Sequence, residues 1–460
     1  MISDRTIELV LEAALSKGGD FAEIYMEETR VSGLSFVNGR VEKATSGMDY
    51  GIGIRILEKT KCVYVFSNDT REEQLIRMAA DASSSLQTVP AGLLVTLTPK
   101  IAFHTSICRI PPVDVAKNRK ADILRIACRA AKEYDAQISQ TSASYGDMQK
   151  NVMIANSSGL YCTDERTRTR FVIEAVASSG EEKQSGYFGP GSGTGFEFIE
   201  EYPVEQTARE AARIAVAMIT AKPCPSGRMP VIIGNGFGGV IFHEACGHSL
   251  EATAVGVHAS VFDGKLGQQI ASPLVTALDD GTMPGEWGSI AIDDEGHVST
   301  RNVLIENGIL TNYMVDLLGS RRMNMPVTGS SRRQNYQFAP TSRMTNTFIA
   351  AGETDPSDII SDTSYGLYAA HMGGGSVDPS TGEFNFAVTE AYMIRDGQIA
   401  EAVRGATLIG KGSQVLLNID RVGNNLTLAQ GMCGSISGNV PTNVGQPMIR
   451  VSEMTVGGRE

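Results

Sequence analysis

The stretch that decides the fold reads Val231-Ile-Ile-Gly234-Asn-Gly236-Phe-Gly238-Gly239-Val-Ile-Phe-His243-Glu244-Ala-Cys246-Gly247-His248-Ser-Leu-Glu251. It begins as an apolar β-branched run, passes four glycines and enters an apolar segment of helical spacing. The pattern predicts a strand over 229–233 and a helix over about 238–253. Two histidines flank a glutamate on that helix. Neutral imidazole is a good zinc ligand, and a neighbouring carboxylate can act as general base on a water held by the metal. The chain has only six histidines, so two within six residues form a concentrated donor pair.

Their spacing is unusual. Histidines four apart on an α-helix stand about 40° apart around its axis, whereas His243 and His248, five apart, stand about 140° apart. A regular helix cannot aim both at one ion. The spacing therefore predicts a π-bulge or a break between them, with Gly247 as the position of least backbone cost. The competing reading is a buried helix with two satisfied core histidines. Phe242, Ala245 and Leu250 are its core positions. A catalytic zinc takes three protein ligands and leaves one position open. Residue chemistry leaves the third ligand open among Cys246, Glu251, His258, His297, His371 and Cys433.

The glycine run also fits G-x-G-x-x-G, with Asp263 near the place of a ribose-binding acid. No ladder of alternating strands and helices follows, and the would-be crossover helix carries the histidine pair. Close packing of the helix start on a sheet is the simpler reading of these glycines.

Outward from this segment the two sides differ in texture. On the N-terminal side, helical periodicity covers 4–16, with Asp4 as N-cap, and 71–86, 115–134 and 204–220. Strand patterns cover 22–28, 51–57, 61–67, 138–145 and 168–178, with a turn at Asn38-Gly39. Residues 180–194, rich in Gly and Ser, read as a loop. Ala221-Lys-Pro-Cys-Pro-Ser-Gly227 marks a boundary. On the C-terminal side, short apolar runs cut by glycine lie at 288–292, 298–310, 346–351, 366–370, 384–395, 406–418 and 448–456. The expected class is α+β: an N-terminal mixed α/β domain, 1–222, then a mostly antiparallel β-rich domain, 223–460, carrying the motif helix.

The bulk composition suits a globular chain of 460 residues, 42% hydrophobic and 20% charged. Its formal charge of −12 argues against nucleic acid and anionic membranes as partners. Seven cysteines with no CxxC pair suggest reduced thiols and a cytoplasmic protein. The N-terminus lacks the cationic start and apolar block of a signal peptide, and no apolar stretch reaches the roughly 18 residues of a membrane span.

The segment His243-Glu244-Ala-Cys-Gly-His248-Ser-Leu-Glu251 resembles the HExxxH motif of the TldD-type subunit in the TldD/TldE (PmbA) peptidase family. Further likenesses run along the chain: Asp20-Phe-Ala-Glu-Ile-Tyr, Asn38-Gly-Arg-Val-Glu, Gly51-Ile-Gly-Ile-Arg, Gly329-Ser-Ser-Arg332-Arg333, Arg343-Met-Thr-Asn346-Thr347, Phe384-Asn-Phe-Ala-Val-Thr-Glu390 and Gly405-Ala-Thr-Leu-Ile-Gly410. The resemblance implies zinc held by His243, His248 and Cys433, with Glu244 as general base. It also implies hydrolysis of unfolded or partly unfolded peptides, taken as extended strands with little sequence preference. A dimer is implied, either with itself or with a TldE/PmbA-type subunit. The rival expectation is a non-enzymatic peptide- or protein-binding subunit with a structural metal. Arg332, Arg333 and Arg343 read as solvated or salt-bridged surface, ahead of a role in contacting anions or backbone.

Overall fold

The computed structural model describes residues 2–86, 94–378 and 381–458. On the N-terminal side the strands run Phe21–Val37, Arg40–Glu58, Lys61–Ser67, Ile138–Asn156 and Tyr161–Ser179. With 101–104, 182–188 and 191–192 they form an eight-stranded sheet in which 21–37 lies between 40–58 and 138–156. Several strands are far longer than expected. The alternation that identifies a strand needs one buried face, and residues 40–50 are exposed throughout. The Asn38-Gly39 turn is as expected. Both residues have positive φ, 50° and 75°, the conformation of a type I′ hairpin.

Alternate side chains of this sheet serve two cores. Ile24, Ile52, Ile54 and Ile56 pack with Ile7, Val10, Leu11 and Leu75 of the helices Asp4–Ala14 and Glu72–Ser83. Ser3, rather than Asp4, caps the first helix, accepting from the Thr6 N–H. Further along, Phe171, Ile173 and Ala175 pack with Leu124 and Ala127 of helix Lys117–Lys132 and with the alanines of helix Val204–Ile219.

Residues 180–194 are not a loop. Strands Glu182–Phe188 and Gly191–Ser192 both pair with 161–179. A Cβ at Gly186 would stand 2.0 Å from the Ala211 carbonyl oxygen, so that glycine admits a helix rather than flexibility.

The C-terminal side contains two sheets facing a shared core. One has eight strands, ordered 365–377, 227–233, 449–457, 407–411, 383–395, 398–404 and 222–223, with 419–422 also paired to 449–457. The other has six, ordered 309–310, 301–306, 277–280, 346–349, 438–446 and 427–435. Most pairings are antiparallel; 227–233 with 365–377 and 346–349 with 438–446 are parallel. The α+β class holds. The run 406–418 divides into strand Thr407–Lys411 and helix Gly412–Leu417, and 288–292 contributes only a bridge from Ile292 to Val298.

The N-terminal sheet meets the C-terminal side through buried ions. Arg333 Nη2 lies 2.7 Å from Glu23 Oε1, Arg55 Nη1 lies 2.6 Å from Glu295 Oε1, and Arg166 Nη1 lies 2.7 Å from Asp294 Oδ1. Tyr25, Val152, Ile154 and Cys162 pack with Ile292 and Tyr336 around them.

Candidate metal centre

The strand 227–233 delivers the chain to Gly234, and the glycine run seats the next turn on two strands. A Cβ at Gly234 would stand 2.4 Å from the Ala370 oxygen, and one at Gly239 would stand 2.5 Å from the Gly445 backbone. Close packing thus accounts for the glycines. Asp263 is bound to His258, Oδ2 to Nδ1 at 2.7 Å.

The single helix expected over 238–253 is five short segments. A 3-10 turn, Gly236–Gly239, leads into α-turn Val240–Phe242, π-turn His243–Gly247 and 3-10 turn His248–Leu250. Glu251 is extended before helix Ala252–Val255. The His248 N–H donates to the His243 carbonyl, five residues back. A π-turn advances less angle per residue than an α-turn, so residues five apart are brought toward one face. Gly247 has an ordinary helical φ of −53°, so backbone freedom is not its reason. A Cβ there would meet Met344 Sδ at 2.3 Å.

His243 Nε2 lies 3.2 Å from Cys433 Sγ, and His248 Nε2 lies 3.3 Å from the same sulphur. One donor atom from each of the three residues lies within 4.8 Å of the others. The imidazole rings stand edge to face, 5.2 Å apart. Zinc bonds of about 2.0–2.1 Å to nitrogen and about 2.3 Å to sulphur, at a tetrahedral angle, place those atoms about 3.6 Å apart. The observed separations fall a few tenths inside that, and two imidazoles with a thiol are a zinc-type donor set, so the residues fit the ion.

Burial pushes the Cys433 thiol up, but the imidazoles of His243 and His248 facing it more than reverse this and hold it well below the ordinary thiol range. Burial likewise opposes charge on His248, and Glu251 and Cys433 carry its pKa well above the ordinary range. Glu244 is half-buried, with Oε2 3.8 Å from His248 Nε2.

Cys433 is on a strand, Thr427–Ser435. Its partner across the hairpin is Val440. Arg343, completely buried, holds the hairpin's turn. Its Nη2 donates to the Cys433 carbonyl at 2.5 Å, and its Nη1 donates to Ser437 Oγ and the Gly438 carbonyl, both at 2.9 Å. Upstream, Trp287 Nε1 donates to the Gly431 carbonyl at 2.8 Å. Glu251 joins the motif to this clamp: Oε1 lies 3.2 Å from His248 Nδ1 and 4.0 Å from Arg343 Nε.

The remaining candidate ligands lie elsewhere. Cys246 is in the apolar core, where burial pushes its thiol up. His258 is exposed on its loop, and His371 faces Glu390 at 3.5 Å. His297 gathers with Asp293 and Glu295. That cluster is occupied by the protein itself: Asp293 accepts from the N–H groups of Glu295, His297 and Ser331, and Glu295 accepts from Leu317 and pairs with Arg55.

Arg332, Arg333 and Arg343 are buried, not surface. The anchoring roles of Arg343 and Glu251 were invisible to residue-by-residue reading. The available signal was the polar stretch Ser342–Thr347: a chain segment with no apolar periodicity whose Thr345, Asn346 and Thr347 are nonetheless fully buried.

Three models of the PmbA/TldA metallopeptidase match the chain: domain 1 over 22–86, the central domain over 110–219 and the C-terminal domain over 226–458. The chain is 34% identical to a "Metalloprotease TldD homolog" of Haemophilus influenzae, covering 99% of this chain and 97% of that one. It is 27% identical to a "Zinc metalloprotease TldD homolog" of Saccharolobus solfataricus over 56% of this chain and 58% of that one. Its fold is similar to the crystal structure of TldE from Thermococcus kodakarensis, with a TM-score of 0.76 at 18% identity, covering 98% of this chain and 100% of that chain. By the sequence of nearly its whole length, the chain belongs to the TldD/PmbA family of metallopeptidases.

Proposed function

We propose that this chain is a zinc-dependent peptidase of the catalytic, TldD-like type. It hydrolyses unfolded or partly unfolded peptides with little sequence preference. The observation that carries this reading is the convergence of His243, His248 and Cys433 to within 4.8 Å beside the half-buried carboxylate of Glu244. Among the described residues this cluster supplies three donors, the number a catalytic zinc takes; a closed structural site takes four.

Zinc, when bound, supplies a water of lowered pKa and polarisation of the scissile carbonyl. Glu244 accepts the proton of the attacking water and returns it to the leaving amine. Glu251 faces Nδ1 of His248 and so favours the tautomer whose Nε2 is free toward Cys433. Arg343 keeps the Cys433 carbonyl and the turn in place. The Cys433 strand is the last of its sheet. Peptides that add to a sheet edge are held by backbone hydrogen bonds, which carry no side-chain information and suit low specificity.

A dimer, with a second copy or with a TldE/PmbA-type subunit, is in keeping with the apolar side chains that the long hairpin 21–58 exposes: Val31, Val41, Met48 and Tyr50. Seven unpaired cysteines suit the cytoplasm. No helix among the described residues is long and apolar enough to cross a membrane.

The test is metal content and peptide hydrolysis, measured on wild type, Glu244→Gln and Cys433→Ala. Glu244→Gln should keep its zinc and lose at least about a hundredfold in turnover. Undiminished cleavage removes Glu244 from the chemistry. Full zinc occupancy in Cys433→Ala removes the thiolate from the ligand set. Retained zinc with no hydrolysis in any form favours the binding subunit.

A further inference from the structure

A cavity of about 280 Å³ lies where the N-terminal sheet meets the C-terminal side. This is the small end of ligand-pocket sizes, room for one residue-sized group. Its walls carry Lys150, Arg166, Arg168, Arg332 and Arg333 with one carboxylate, Asp294. Met148, Gln334, Met432 and Asn439, none of them fully buried, line it as well.

Three of the five cations are already paired. Lys150 bonds Glu27 at 2.8 Å, Arg166 bonds Asp164 and Asp294, and Arg333 bonds Glu23. Arg168 and Arg332 have no carboxylate partner among the described residues. Each is 4% exposed. Arg168 donates only to the carbonyls of Trp287 and Ser289, at 2.8 and 2.9 Å. Arg332 donates only to the Met344 carbonyl and Thr442 Oγ1, at 2.6 and 3.4 Å. Nη1 of Arg168, and Nε and Nη2 of Arg332, make no hydrogen bond among the described residues. Each of these charged donors belongs to a residue lining the cavity and takes its acceptor from whatever occupies that space, water or ligand. Burial, with the charges of Arg332 and Arg166, depresses Arg168 to about 9. Burial, with the charges of Arg343 and Arg166, depresses Arg332 to about 10. The five lining cations are opposed by Asp294, Glu27, Asp164 and Glu23, which leaves about one positive charge uncompensated.

We propose that this cavity is a subsite for a single carboxylate, bound by Nη1 of Arg168 and the free Nε–Nη2 edge of Arg332. One net charge matches a monoanion, and a guanidinium edge matches the planar two-oxygen fork of a carboxylate. Met432, in the cavity wall, is the chain neighbour of Cys433 on strand 427–435; successive strand residues face opposite sides, so the subsite and the metal centre lie on the two faces of one strand. Resting on the peptidase reading, the subsite anchors a peptide by its C-terminal carboxylate or by an acidic side chain.

Trp287, the only tryptophan, accepts from Arg168 and reports the cavity by its fluorescence. The full-length chain is titrated with N-acetylglycine, its amide, N-acetyl-aspartyl α-amide and inorganic phosphate. The expected result is saturable binding of N-acetylglycine and none of its amide, with affinity at least tenfold weaker in Arg168→Gln and in Arg332→Gln. Binding of the aspartyl amide alone assigns the subsite to acidic side chains and retains it. Equal response to acid and amide, tighter binding of phosphate than of either carboxylate, or unchanged affinity in both folded variants overturns the proposal. The acid–amide comparison on wild type decides even if neither variant folds. Hydrolysis is not read: saturable binding in a chain that cleaves nothing would remove the peptidase and keep the subsite, and cleavage without binding would do the reverse.

Discussion

Replacing Arg343 by methionine removes the clamp on the Cys433 hairpin while keeping most of the apolar stem. Three acceptors lose this donor: the buried Cys433 carbonyl, the half-buried Gly438 carbonyl, and Ser437 Oγ, which still accepts from Thr341 Oγ1. A buried acceptor deprived of a partner costs about 1–3 kcal/mol, and such losses within one network do not add fully. Glu251, 3% exposed, also loses the Arg343 cation 4.0 Å from its Oε1 but keeps His248 at 3.2 Å, so its pairing is weakened and not abolished. The two effects share one side chain, so the expected loss is about 2–4 kcal/mol in all. Part of it should fall on the metal centre, because the Cys433 backbone is what the clamp fixes. The assay is denaturant unfolding with and without a chelator, together with zinc content. Wild type should lose more stability to the chelator than Arg343→Met does, and Arg343→Lys should be intermediate. A stability loss under about 1 kcal/mol with full zinc occupancy would refute the reasoning, since the hairpin would then hold Cys433 without help.

Glu251→Gln keeps the shape beside His248 Nδ1 but removes the negative charge; zinc affinity should fall about 10–100-fold, read by chelator competition, and an unchanged affinity would show that the contact does not orient the imidazole. Asp279 is 1% exposed, and burial, only partly offset by hydrogen bonds from Thr345 and Thr347, raises its pKa to about 6. The folded state therefore holds a proton between about pH 4 and 6 that the unfolded chain has released. Its contribution to stability falls as pH rises through that window, by about 3 kcal/mol. Asp279→Asn should flatten this part of the stability–pH curve, and an identical slope in wild type and variant would contradict the assignment.

How much was legible depended on whether a residue's neighbours are close in sequence. Helix Val204–Ile219 was recoverable because its buried alanines and isoleucines repeat at helical spacing. So was the irregularity of the motif, because a five-residue histidine spacing conflicts with the α-helical angle. Strand 40–58 was half visible, since its first eleven residues are exposed and carry no alternation. The third candidate donor was not legible from chemistry: Cys433 and Cys246 are both buried cysteines, and only the fold brings one of them, Cys433, within 3.3 Å of both imidazoles. The burial of Arg332, Arg333 and Arg343 was missed because each partner is far along the chain, Glu23 for one and Cys433 and Gly438 for another.

The ions joining the N-terminal sheet to the C-terminal side have a consequence for how the chain can be divided. Arg55 and Arg166 sit on one side, and their countercharges Glu295 and Asp294 sit on the other; Arg333 and Glu23 cross the opposite way. Neither side is electrically self-sufficient. Replacing one of these charges while the other side stays packed over its partner would leave an ion buried and unpaired, at about 3–5 kcal/mol each. Melting should therefore be a single cooperative event across both sides. A chain built this way tolerates changes at its rim but not an exchange of one half for a relative's, unless the matching charges travel with it.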